Sequence, residues 1–298
     1  MAQTGPRIYI MQPGYWGRVW WQLRTAAVAL FDDGCLGIAK GVAYSALLSF
    51  FPVLTSLATV LVQAQLVDVS PIISKLLTEA LPPGTEQLVL SHFVAQGKQP
   101  KWLLVVAVIL SAWAASGAVL SLMEGFQAVY RIPTGRSFLK ARGVALLIVF
   151  ASAVPVIGAS TLILLGQRVE QSVLSWLNLI PEGASWTGSV AGIAIALRYA
   201  LAFAGIATAS MITYYFGPNR RQSIARVWPG AVVSTVLWLA ATIVFAWYVR
   251  NIANYNVMYG SIGAVIALLV WQYVLAVVAF MGCEYNAIRE KSMVTGVA

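Results

Sequence analysis

Six stretches of the chain, at about residues 40–63, 103–128, 139–166, 190–216, 227–249 and 260–283, each run past 20 residues with few charges. About 20 apolar residues is the length an α-helix needs to cross the hydrocarbon core of a bilayer. Inside that core only helices and closed barrels satisfy their own backbone polar groups. The 298 residues are 60% hydrophobic and 10% charged, against about 25% charged in a soluble domain. The chain is therefore expected to be all-α: a polytopic membrane protein of six transmembrane helices, forming one domain over residues 1–298.

Lysine and arginine set the expected orientation. Arg7, Arg18, Arg24, Lys40, Arg131, Arg136, Lys140, Arg142, Arg220, Arg221, Arg226, Arg289 and Lys291 fall on one side of the six spans. Lys75, Lys98, Lys101, Arg168 and Arg250 fall on the other. Cytoplasmic loops carry the excess of such residues, so both termini are expected in the cytoplasm. The same sidedness accounts for a net charge of +9, a balance that would otherwise point to nucleic acid. The expected partners of this charge are membrane lipids, through anionic headgroups at the cytoplasmic face, and not nucleic acid. Residues 1–14 hold no apolar core followed by a small-residue cleavage site, so the first span is expected to act as the insertion signal. Cys35 and Cys283 both fall near the reducing, cytoplasmic side, where two free thiols are expected rather than a disulfide.

Two segments read as lying on the membrane rather than across it. In 15–33, Trp16, Val19, Trp20, Leu23, Ala27 and Leu30 share one helical face, and Arg18, Gln22, Thr25 and Asp32 the other. That is the pattern of an interfacial amphipathic helix, with docking onto a partner as the alternative. Segment 64–102 reads as a short helical outer segment between spans 1 and 2, interrupted at Pro82–Pro83–Gly84.

The first span carries Pro52 in its middle. Proline removes a backbone donor and disturbs the carbonyl four residues back. At helical spacing Tyr44, Ser45, Ser49, Pro52, Thr55, Ser56 and Thr59 fall on one side, so the break lies on a polar face. Hydroxyls there serve either as glue between packed helices or as the wall of a wet pathway, since broken helices line many membrane binding sites. Close helix packing is expected at Gly117, Ser121 and Gly125 in the second span and at Gly230 and Ser234 in the fifth, where small residues let backbones approach. Arg198 is the basic residue expected deepest in a span, on a face with Ala191, Ala194, Ala202, Gly205 and Ala209. An arginine at mid-membrane costs about 2.5–3.5 kcal/mol on insertion scales. It is expected either to offer a guanidinium to an anionic group in a polar cavity shared with the Pro52 face, or to snorkel to the outer rim.

The stretches AYSALLSFFPVL, ASGAVLSLMEGFQAVYRI, YYFGPNRR, WPGAVVSTVLW, FAWYV and YGSIGAVIALLVWQYVLAVVAFMGCEYNA follow one another between residues 43 and 287. In this order they resemble the YihY/BrkB family of bacterial inner-membrane proteins. MEGF departs from the pattern, in which an Asn more often follows a Leu, and this weakens Glu124 as a carrier of any shared role. The resemblance implies six spans with both termini inside, in the bacterial inner membrane. It implies no agreed activity: some members have carried a ribonuclease label, and others are linked to serum resistance or the lipid envelope.

Hydrolytic cleavage of RNA needs an acid–base pair or clustered metal ligands. The chain has one histidine, His92, on the expected outer side, and scattered acids. No catalytic residue, metal site or cofactor is expected. The reading is a transporter or flippase-like carrier of an anionic or amphiphilic envelope solute, with Tyr44, Ser49, Pro52, Thr55, Ser56, Thr59 and Arg198 as substrate-binding candidates. The alternative is a non-transporting scaffold that recruits envelope or lipid-transfer proteins. An envelope protein partner and a homo-oligomer are compatible with either.

Overall fold

A computed structural model describes residues 15–63, 101–176, 189–251 and 261–295. The outer segment 64–102 therefore lies almost wholly outside the described residues. Among these residues the chain is all-helical: α1 (Tyr15–Asp32), α2 (Cys35–Gln63), α3 (Lys101–Val129), α4 (Phe138–Trp176), α5 (Ser189–Phe216), α6 (Ile224–Asn251) and α7 (Ser261–Thr295). Six of them, α2 to α7, are long and apolar enough to cross a membrane. The helices overrun the spans expected from hydropathy, most of all α7, which continues to Thr295 through a charged end.

Neighbouring helices close a ring, α2–α3–α4–α5–α6–α7, with α7 returning to α2 and also touching α3 across the middle. The ends that carry Cys35, Val129, Phe138, Phe216, Ile224 and the last turns of α7 gather at one pole. Ion pairs and loops show this directly: Arg131 meets Asp33, and both Arg220 and Arg226 meet Glu290. That pole holds the larger of the two basic groups, so we call it the basic end.

The apolar core sits in the half of the bundle nearest the basic end. Phe126 on α3 meets Tyr214 on α5 and Phe280 on α7 edge to face, at centroid distances of 5.4 and 5.9 Å. Cys35, Ala39, Val227, Ala231 and Cys283 fill in around them. From Gly282 to Ile288, α7 is buried at every residue. Burial all round is the mark of a helix enclosed by others, and α7 has α1, α2, α3 and α6 against it. Both cysteines are free and buried.

Helix α1 is amphipathic, with a different facing from the expected one. Leu23 and Ala26 pack on Tyr285 and Ile288 of α7, and Leu30 joins the main core. Trp20, Trp21, Val28 and Phe31 are exposed. The helix thus has two apolar sides, one docked on α7 and one, rich in tryptophan, available to the interface. Helical spacing alone does not separate them, because it groups Trp20 with Leu23 on one face.

Two connections end their helices in the same way with different residues. Gly34, at φ +67°, closes α1, a position that suits glycine. Arg131 does the equivalent at the end of α3 with φ +50°. Its N–H bonds Ala128 O at 2.9 Å while Ile132 N–H bonds Gln127 O at 2.9 Å, the two bonds of a Schellman motif. A left-handed conformation costs an L side chain about 1–2 kcal/mol. Beyond it, Arg136 reaches the end of α5 and donates to the carbonyls of Phe216, Gly217 and Pro218 at 2.9, 2.7 and 3.0 Å. It thereby satisfies acceptors that a helix C-terminus leaves unpaired.

Candidate functional site

Five helices leave a cavity of about 260 Å³ at the middle of the ring. One part of its wall is hydroxylic: Ser210, Thr213 and Tyr214 from α5, Ser234 and Thr235 from α6. The rest is apolar, with Leu122 of α3, Val156 of α4, and Leu275 and Val278 of α7. Four of the hydroxyl protons are committed to backbone. Thr213 donates to Ala209 O at 2.9 Å, Tyr214 to Ala279 O at 2.7 Å, Ser234 to Ala231 O at 3.0 Å and Thr235 to Ala231 O at 2.8 Å. A hydroxyl whose single proton is spent presents only lone pairs. Four of the five hydroxyls on the polar wall thus present acceptors, in a region otherwise as apolar as lipid.

Tight backbone contacts hold this wall. Gly230 and Gly282 bring α6 and α7 together: a Cβ on Gly282 would meet Tyr214 Oη at 2.5 Å, Gly230 O at 2.6 Å and Ser234 Cβ at 2.7 Å. A Cβ on Gly230 would collide with Gly282 O and the Asn286 amide. Asn286 then ties the helices by hydrogen bonds, accepting from Gly230 N–H at 2.7 Å and donating to Val227 O at 3.0 Å. Pro229, beside them inside α6, lacks an N–H of its own. On the other flank Gly205 lets α5 sit against Pro155 O and Ala159 of α4.

The residues expected from sequence are placed as follows. On α2, Tyr44 is exposed, Ser49 is buried, and Pro52 and Ser56 are half-buried. Ser45 pairs with Ser121 of α3 at 3.1 Å. Ser49 bonds Ala46 O at 2.9 Å and Ser56 bonds Val53 O at 3.2 Å, both within the helix. The side chains of Thr55 and Thr59 lie outside the described residues. Arg198 is half-buried on α5, whose small face is protein-facing at Ala202 and Ala209. Helix α5 packs chiefly on α4 and α6, and α2 on α3 and α7.

The small-residue stripe of α3 serves three neighbours rather than one. Ser121 meets α2, Gly125 admits the Phe280 ring of α7, and Gly117 has only Arg142 Nη1 of α4 near it, at 4.0 Å. Arg142 is another cation within the spans. Its guanidinium lies 4.2 Å over the Trp113 ring and donates to Ser116 Oγ at 2.7 Å, midway along α3. Sequence counting placed Arg142 at the cytoplasmic rim, because it shows where a side chain starts and not where it reaches.

Two further groups at the basic end went unnoticed in the sequence. Glu284 is 2% exposed on α7 and accepts from Cys35 Sγ at 4.0 Å. Tyr130 lies under Arg220, whose guanidinium stacks 4.2 Å above its ring. Burial pushes the Tyr130 phenol well above its usual range, so it stays neutral and donates toward Gln222 Oε1 at 3.4 Å. Among the described residues no cluster of three or more His, Cys, Asp or Glu is placed to hold a metal ion.

Comparison with known proteins gives the setting. The chain matches the family described as Virulence factor BrkB over residues 27–297. It is 27% identical to the ribonuclease-like protein YfkH of Bacillus subtilis, over 63% of the chain and 66% of YfkH. It is 24% identical to a UPF0761 membrane protein of Alkalilimnicola ehrlichii, over 85% of the chain and 55% of that protein. A UPF0761 membrane protein of Alteromonas mediterranea is 30% identical over 37% of the chain and 30% of its own length. The chain thus spans less than two thirds of the length of these relatives. No solved structure matches it.

Proposed function

The chain belongs to the virulence factor BrkB family of membrane proteins, and within that family we propose that it is a flippase-like carrier of an amphiphilic envelope solute in the bacterial inner membrane. The central cavity carries this reading. Membrane helices that only support one another fill the space between them to crystal-like density. Here about 260 Å³ remains, with hydroxyls on one side and aliphatic side chains on the other. That division matches a solute with a polar head and an apolar body. The committed hydroxyl protons favour a head that brings its own O–H or N–H donors over a bare anion.

Orientation follows from charge, with the basic end and both termini in the cytoplasm. Arg198 is on the same helix as Ser210, twelve residues toward the opposite end, about 18 Å at 1.5 Å per residue. In this reading an anionic group leaving the cavity outward meets its guanidinium. Pro52, inside α2, leaves that helix one backbone donor short.

The test uses vesicles reconstituted with purified protein and a fluorescent, NBD-labelled phosphatidylglycerol, bleached from outside by dithionite. Wild type should make the inner-leaflet half of the label accessible, and Ser210→Phe, which fills the cavity from its half-buried wall, should slow this at least tenfold while folding normally. Equal rates in wild-type, Ser210→Phe and protein-free vesicles would sink the carrier reading and leave the scaffold.

A further inference from the structure

A second cavity, of about 330 Å³, opens at the basic end between the close of α3, the α5–α6 loop and the last turns of α7. Its wall holds Tyr130, Arg131, Arg220, Glu290 and Lys291, three cations against one carboxylate. We infer that this cavity is a binding site for a phosphate group, carried either by an anionic lipid head or by a free phosphorylated compound. Binding here is separate from movement through the central cavity.

The cations are held in place rather than scattered. Arg220 is fixed from two directions, stacked on Tyr130 and paired with Glu290. Glu290 is also shared with Arg226, 2.9 Å away, so its charge is more than matched before any ligand arrives. Arg131 spends Nε and Nη2 on Asp33, at 3.2 and 2.9 Å. Each guanidinium has five N–H donors in a planar fork, so both keep N–H groups for the cavity. Paired forks and a neighbouring ammonium suit the oxygens of a phosphate. The volume admits the group with several waters, at about 30 Å³ each.

An independent observation comes from the backbone. Arg131 sits in the left-handed region at φ +50°, in a helix-ending role that Gly34 fills without strain at the end of α1. Its ion pair with Asp33, whose side chain is only 10% exposed, accounts for a cation here but not for the left-handed backbone, which a glycine adopts without strain. A strained residue at the mouth of a cavity is the pattern of a functional position. Arg131 is strained, cationic and part of the same cavity wall as Arg220 and Lys291.

The experiment measures thermal unfolding in nanodiscs. In one arm the discs are phosphatidylcholine alone, with inorganic phosphate added against chloride at equal ionic strength. In the other, phosphate-free buffer surrounds discs containing phosphatidylglycerol. Wild type should gain several degrees in at least one arm. A gain with inorganic phosphate identifies a free phosphorylated ligand as sufficient, and a gain with the lipid alone identifies a headgroup. Arg131→Gly and Lys291→Gln should lose the gain. Arg221→Gln, an equal loss of charge on an exposed residue outside the cavity, should keep it. No gain in either arm, a gain that Arg131→Gly and Lys291→Gln retain, or a loss shared by Arg221→Gln would overturn the site.

Discussion

Gly230→Ala should prevent the protein from accumulating in folded form. The added Cβ has no free direction: it meets Gly282 O and the Asn286 amide, and Gly282 is hemmed in turn by Tyr214 and Ser234. Helices α6 and α7 must move apart. Overpacking costs about 1–3 kcal/mol, and separation also loosens both Asn286 bonds, at about 1 kcal/mol each. The total, about 3–5 kcal/mol, is a large share of a typical folding free energy of about 5–15 kcal/mol. Gly117→Ala is the matched control. Only Arg142 Nη1 lies near that position, at 4.0 Å, so the change should be neutral or stabilising by up to about 1 kcal/mol. Size-exclusion profiles of fluorescent fusions would compare them. A monodisperse, abundant Gly230→Ala would show that the α6–α7 contact is looser than described.

The second large effect belongs to Asn286→Leu. Asn286 is 2% exposed, and its amide is the partner of Gly230 N–H and Val227 O. Leucine has similar bulk and removes both inter-helix bonds, at about 1 kcal/mol each. A loss of about 2 kcal/mol should appear as early thermal unfolding in detergent. Thr235→Val should cost under about 1 kcal/mol, because Thr235 bonds Ala231 O within its own helix, and that carbonyl keeps its helical environment. If Asn286→Leu matched Thr235→Val, the inter-helix amide bonds would carry little of the stability.

Much of this architecture is legible in the sequence, and what is not has a physical reason. Apolar run length gives six spans, because the bilayer sets one length for all of them. Small residues mark Gly125 and Gly230 as close contacts, yet the same signal at Gly117 marks an open position. Spacing along one helix does not tell which neighbour will fill the gap. The central cavity is harder to foresee. Ser210, Thr213, Ser234 and Thr235 come from two helices, and each alone reads as a hydroxyl bonded to its own backbone, which three of the four are. The polar face of α2 gave the stronger one-helix pattern, and the structure turns part of it to α3 through Ser45 and Ser121. Asn286 and Glu284 sit in a stretch whose family resemblance was plain, but nothing in their spacing shows that α7 is enclosed there.

The central claim is that the cavity lined by α3 to α7 is a pathway for a polar headgroup, which requires it to be open to water within the membrane. A single cysteine at Ser210 tests it, with one at Ile243 on α6, which is 70% exposed to the lipid side, as the reference. The native thiols Cys35 and Cys283 are both 0% exposed and leave a low background. Thiol modification needs the thiolate, and a small charged methanethiosulfonate reaches it only through water. In vesicles, Ser210→Cys should react at least ten times faster than Ile243→Cys. A Ser210→Cys that reacts no faster than Ile243→Cys would show a dry gap between helices and contradict the account.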